Sequence, residues 1–119
     1  MAQILVVDDD ATILALVKRM LAMEGHTVAV VGDGIEALKY LDVLIPDLIL
    51  SDISMPRMDG QALFLEVRAR GLEVPFVVMS GHLMEGESGR SGFDGWLPKP
   101  FLLEDLIAII DATLVRQPV

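Results

Sequence analysis

Short apolar runs alternate with helix-length segments along almost the whole of this chain, and that alternation restricts its fold more than any other feature. QILVV (3–7), TVAVV (27–31), DLILS (47–51), VPFVVMS (74–80) and GWLP (95–98) are mostly aliphatic and too short for helices, so they read as buried strands. Residues 11–24, 34–44, 60–71 and 102–116 carry helical patterning. Asp10 stands where an N-cap belongs and Gly25 where the first helix stops; Pro46 and Gly71 end the next two. Strands joined through helices pair in parallel, because each crossover carries the chain back to the same end of the sheet. Segment 82–95 breaks the pattern. A helix is due there, yet glycines at 86, 89, 92 and 95 each cost about 1 kcal/mol of helix stability against alanine. The fourth helix is therefore expected to be short or disordered.

Five parallel strands in 119 residues suit a flavodoxin-like doubly wound α/β sheet of order 2-1-3-4-5, in one domain over 1–119. Pro98 fits a fifth strand at the sheet edge, where a missing N–H is tolerated. With 53% hydrophobic residues the chain can bury a substantial core. It contains no cysteine, which removes disulfides, thiolate zinc sites and cysteine nucleophiles together. No apolar run reaches the length of a bilayer span, and no basic region precedes the first acids, so the expected address is cytoplasmic, without membrane contact. The net charge of −9, with nine scattered Lys and Arg, argues against direct nucleic-acid binding.

In a 2-1-3-4-5 sheet, ligands bind beyond the carboxyl ends of the strands, where the order reverses between strands 1 and 3. VVDDDAT (6–12) places Asp8 and Asp9 just past strand 1, and Asp52 falls just past strand 3. Carboxylates so gathered must take up protons, repel one another or hold a cation. Mg²⁺ suits one or two carboxylates together with waters and a phosphate. Ser80 past strand 4 and Lys99 past strand 5 add a hydroxyl and an ammonium, completing a set able to bind phosphate. The chemistry is that of phosphoryl transfer, with an aspartate as the nucleophile.

ILVVDDD (4–10), DGIEAL (33–38), DLILSDISMPRMDG (47–60), VVMSG (77–81) and LPKPF (97–101), in that order, resemble the receiver domain of two-component response regulators over essentially the whole chain. The resemblance implies that Asp52 is the phosphoacceptor, that Asp9 ligates Mg²⁺ directly and that Asp8 acts through a bound water or orients the metal. It also implies a third ligand in the backbone carbonyl of Ser54, pairing of Lys99 with the phosphoryl group, a hydrogen bond from Ser80 once that group is attached, and a cis Lys99–Pro100 peptide. Trp96 occupies the place of the family's switch aromatic, usually Tyr or Phe, with a bulkier ring. On this reading the chain is a signalling domain rather than an enzyme in its own right. Its partners are a histidine kinase or histidine phosphotransfer protein upstream, and a protein target or second copy downstream. His82, two residues past Ser80, falls where receivers tune phosphoryl lifetime.

Other features are read more plainly. Asp10 caps the first helix, and His26 is a turn residue. In the last helix Leu103, Leu106, Ile110 and Leu114 form a core stripe, leaving Leu102, Ile107, Ile109 and Val115 as a candidate partner or dimer face. DDDAT also matches the D-x-D-x-T of haloacid-dehalogenase-like phosphatases, which would make Asp8 the nucleophile and Asp10 the acid. That reading leaves SDISMPRMDG without a purpose and finds only Glu104, Asp105 and Asp111 for its later acid pair. A receiver-like interaction module independent of phosphorylation would have no use for repelling carboxylates. A flavin module of the same fold would need a Gly/Ser/Thr-rich loop after strand 1, where this chain has acids.

Overall fold

The computed structural model describes residues 2–55, 58–81 and 92–115. Along the chain run β1 (Gln3–Val7), α1 (Ala11–Met23), β2 (Thr27–Val31), α2 (Gly34–Leu41), β3 (Leu48–Asp52), α3 (Gly60–Ala69), β4 (Phe76–Ser80), β5 (Gly95–Pro98) and α4 (Leu103–Val115). The strands form one parallel sheet of order 2-1-3-4-5, the expected doubly wound arrangement. Pro98 ends β5 on the sheet edge.

Period-two alternation divides the core. Ile4 and Val6 of β1 face one layer with Val17 and Leu21 of α1 and Leu106 and Ile110 of α4. Leu5 and Val7 face the other, with Ala37 and Leu41 of α2 and Leu63, Phe64 and Val67 of α3. Each fully buried Val, Leu or Ile side chain contributes about 1.5–3 kcal/mol. Because both faces are covered, the central strands are apolar up to their carboxyl ends rather than alternating with polar residues.

Several boundaries differ from expectation, each for a local reason. α2 ends at Leu41, not near residue 44, because Val43 and Leu44 turn their N–H groups back onto Tyr40 O and the following chain projects into solvent. β3 takes in Asp52, and Asp47 instead accepts the Gln3 N–H at 2.7 Å. β4 begins at Phe76 rather than 74: Pro75 has no N–H to pair, and Arg68 Nη1 takes the Val74 carbonyl at 2.9 Å. In α4 the buried face is Leu106, Ile110 and Thr113. Leu103, the first residue of the helix, is exposed; Leu114 is only half-buried. Thr113 is accommodated inside because its hydroxyl donates to Ile109 O at 2.7 Å. The expected weak helix over 82–95 lies largely outside the described residues, as does His82; residues 92–94 are non-helical and Gly95 opens β5.

Candidate functional site

The carboxyl ends of β1, β3, β4 and β5 bring the site together. Asp8 follows β1 and is fully buried; Asp52, the last residue of β3, is 7% exposed; Asp9 points to solvent. One carboxylate oxygen from each of the three lies within 4.8 Å of the other two. Lys99, immediately after β5, reaches into this group. Its Nζ donates to Asp8 Oδ2 at 2.8 Å and stands 3.5 Å from Asp52 Oδ1. The lysine backbone is tied to β4, since Lys99 N–H donates to Ser80 O at 2.6 Å. The Lys99–Pro100 peptide is cis. Ser80, the last residue of β4, is buried beside it. The other carboxylate oxygen of Asp8 accepts the Asp10 N–H at 2.9 Å, which sets the turn from β1 into α1.

The Lys99 ammonium thus pairs with two of the three clustered carboxylates. Burial, and then the Asp8 carboxylate, raise the Asp52 pKa above the ordinary aspartate value; Lys99 and the Ser54 N–H pull the other way without cancelling them. Burial disfavours the Lys99 ammonium, but its hydrogen bond and charge interaction with Asp8, with Asp52 behind, leave its pKa raised overall. Lys99 is therefore a firm cation at neutral pH. The remaining negative charge is carried on hard oxygen donors, which is the donor set for Mg²⁺.

The first-turn acids divide their tasks. Asp10 Oδ1 accepts from Thr12 N at 2.9 Å and from Ile13 N at 3.4 Å, so it caps α1. With Asp10 committed to a cap and both oxygens of buried Asp8 engaged, neither is presented as the D-x-D-x-T phosphatase reading requires. Trp96 packs half-buried against the α2–α3 core layer, and its Nε1 is buried with no hydrogen-bond partner among the described residues. His26 does more than turn the chain: its Nδ1 accepts the Ala2 N–H at 3.1 Å, tying the start of β1 to β2. Two further acids escaped notice, Asp33 and Asp59, whose Oδ1 atoms cap α2 and α3 through Glu36 N–H and Ala62 N–H. The repeated Asp-Gly pair opening each of these helices was the available signal.

Fold and site together define a doubly wound domain whose switch point is an acidic pocket answered, among the described residues, by Lys99. Comparison with known proteins narrows this further. The model of the response regulator receiver domain matches residues 4–111, and the chain belongs to that family, whose members are phosphorylation-activated signalling domains. It is 38% identical over 117 residues to the response regulator MprA of Mycobacterium ulcerans, covering 96% of this chain and 50% of that protein. The chain thus spans about half the length of the curated relatives it matches. Among solved structures it is similar to the receiver domain of Francisella response regulator 1452 (TM-score 0.89, 31% identity, 98% of both chains). It is also similar to the chemotaxis response regulator CheY4 of Vibrio cholerae (TM-score 0.88, 31% identity, 95% of this chain and 98% of that one). A third likeness is to the receiver domain of the sensor histidine kinase PA1611 of Pseudomonas aeruginosa, solved with a magnesium ion coordinated in its active-site cleft (TM-score 0.85, 28% identity, 96% and 98%). Among the described residues no helix is long and apolar enough to cross a membrane.

Proposed function

We propose that residues 1–119 form one receiver domain that accepts a phosphoryl group on Asp52 from a phosphohistidine of a histidine kinase or phosphotransfer protein. The observation that carries this is the Lys99 ammonium held between buried Asp8 and the partly accessible Asp52. An Asp52 oxygen attacks phosphorus in line, the P–N bond to the donor imidazole breaks, and an acyl phosphate remains. Lys99 leans from Asp52 toward the transferred oxygens, and the Ser80 hydroxyl donates to them once they are in place. Asp9, Asp52 and the Ser54 carbonyl would hold Mg²⁺, with Asp8 orienting it. The bound ion supplies neutralisation of charge on the transferring group. The magnesium ion in the active-site cleft of the similar PA1611 receiver supports a cation at this place. Attachment adds nearly two negative charges beside Asp8 and Asp9. That change biases an existing equilibrium toward the state in which Ser80 and Trp96 have moved, presenting a face to a protein target or a second copy. The protein works in the cytoplasm, without direct contact with membrane or nucleic acid through this domain.

Incubation with a small-molecule phosphodonor and Mg²⁺, read by intact mass and peptide mapping, tests the assignment. One phosphoryl group on Asp52, lost in Asp52→Ala, is the expected result. Label on Asp8 would instead indicate phosphatase-like chemistry, and no label from that donor or from a phosphorylated phosphotransfer protein would leave an interaction module.

A further inference from the structure

The two Asp-Gly pairs sit at matching places: each aspartate caps a helix and each glycine is that helix's first residue. Glycine is a poor choice in a helix, so its use at both positions calls for a reason of space. At Gly60 a Cβ would lie 2.5 Å from the carbonyl oxygen of Asp52 and 2.9 Å from Ile53 Cα. These are backbone atoms and cannot turn aside as a side chain can. They are also held from both directions: Gly60 N–H donates to Ile53 O at 2.8 Å, and the Ser51 hydroxyl donates to Asp52 O at 2.9 Å. At Gly34 a Cβ would meet Met58, 2.8 Å from Cγ and 2.9 Å from Sδ. Met58 stands just before the cap of α3, at the far end of the loop that leaves β3 through Ser54.

We propose that Gly60 and Gly34 are positioning residues for the phosphoryl site: their missing side chains let the N-termini of α3 and α2 close on the two ends of the β3–α3 loop, which fixes the Asp52 carboxylate and the Ser54 carbonyl at the spacing a divalent cation needs. This rests on the reading of Asp52 and Ser54 as cation ligands given above. A methyl group at Gly60 displaces the Asp52–Ile53 peptide itself, and with it the root of one ligand and the neighbour of the other. A methyl at Gly34 acts more gently, through a side chain that can partly yield. Indirect supports of metal ligands commonly matter about ten- to a hundredfold in affinity.

The test titrates Mg²⁺ alone into wild type, Gly60→Ala, Gly34→Ala, Met58→Ala and the Gly34→Ala/Met58→Ala double variant. Binding is followed by backbone-amide NMR, at a temperature where circular dichroism shows each variant folded. The dissociation constant is expected to rise about tenfold in Gly60→Ala and by a smaller factor in Gly34→Ala. The double variant should move back toward wild type, because Met58→Ala removes the Cγ and Sδ that the new methyl meets first. A merely structural role would lower the melting temperature and leave the folded protein's Mg²⁺ affinity unchanged. Folded Gly60→Ala and Gly34→Ala within about a factor of two of wild type overturn the proposal. If Gly60→Ala does not fold, the Gly34/Met58 pair decides it, and absence of recovery in the double variant counts against it. Phosphodonor labelling of wild type runs in parallel. Label on Asp52 with unshifted variants removes the glycine proposal alone, whereas a wild type that neither binds Mg²⁺ nor takes label removes the functional reading and this one together.

Discussion

Asp52 combines two properties that both disfavour its ionised form: it is nearly buried, and its closest charged neighbours include another carboxylate. A carboxyl whose folded pKa exceeds its unfolded value binds its proton more tightly in the native state. The native state therefore gains at low pH and loses that advantage as pH climbs through the window between the two values. Asp52→Asn removes the ionisation without removing the side chain. In divalent-free buffer the variant should melt a few degrees above wild type at neutral pH, with the gap closing toward about pH 4. Added Mg²⁺ should raise the wild-type midpoint by more than that of the variant, since a ligand stabilises the state that binds it. Melting curves across pH, with and without Mg²⁺, check both. A gap independent of pH would mean that Asp52 is solvated like any surface acid.

The elements show why three adjacent aspartates are not interchangeable. Asp8 follows the strand and is buried, Asp9 is exposed at the pocket, and Asp10 caps a helix. Asp10→Ala should cost about 1 kcal/mol of stability through the lost cap and leave Mg²⁺ affinity unchanged. Denaturant unfolding beside a Mg²⁺ titration separates the two effects; a large fall in affinity would place Asp10 in the cation site after all. This division was legible in VVDDDAT because strand end, pocket and helix start are successive places along a doubly wound chain. The residues converging from β3, β4 and β5 were legible for the same reason. What escaped were features fixed by contact rather than by position along the chain. The early end of α2, the exposure of Leu103 and the bond from Ala2 to His26 depend on which neighbour is present, and local pattern does not record that. The tight approach of Gly60 to the β3 backbone is of the same kind.

At the scale of the molecule, the sole tryptophan lies on the edge strand next to the lysine's strand end, with an indole N–H that finds no acceptor among the described residues. Burying a donor unpaired costs about 1–3 kcal/mol, so the packed position of Trp96 is held against an opposing term and a modest change nearby can release it. Phosphorylation should therefore shift Trp96 emission, and Asp52→Asn treated with the same donor should show no shift. A signal that stays constant while mass spectrometry reports full labelling would uncouple Trp96 from the site. The Lys99–Asp8 pair has a different kind of consequence. It joins residues 91 positions apart, so it closes only when the fifth strand docks beside the fourth. A chain emerging from the ribosome makes its first strand, with the acids, long before its lysine. Until synthesis passes β5, those acids have no counter-charge of their own. An incomplete domain thus lacks the ammonium that pairs with Asp8 and Asp52, and on the proposed reading competence to accept a phosphoryl group arrives only with the finished sheet.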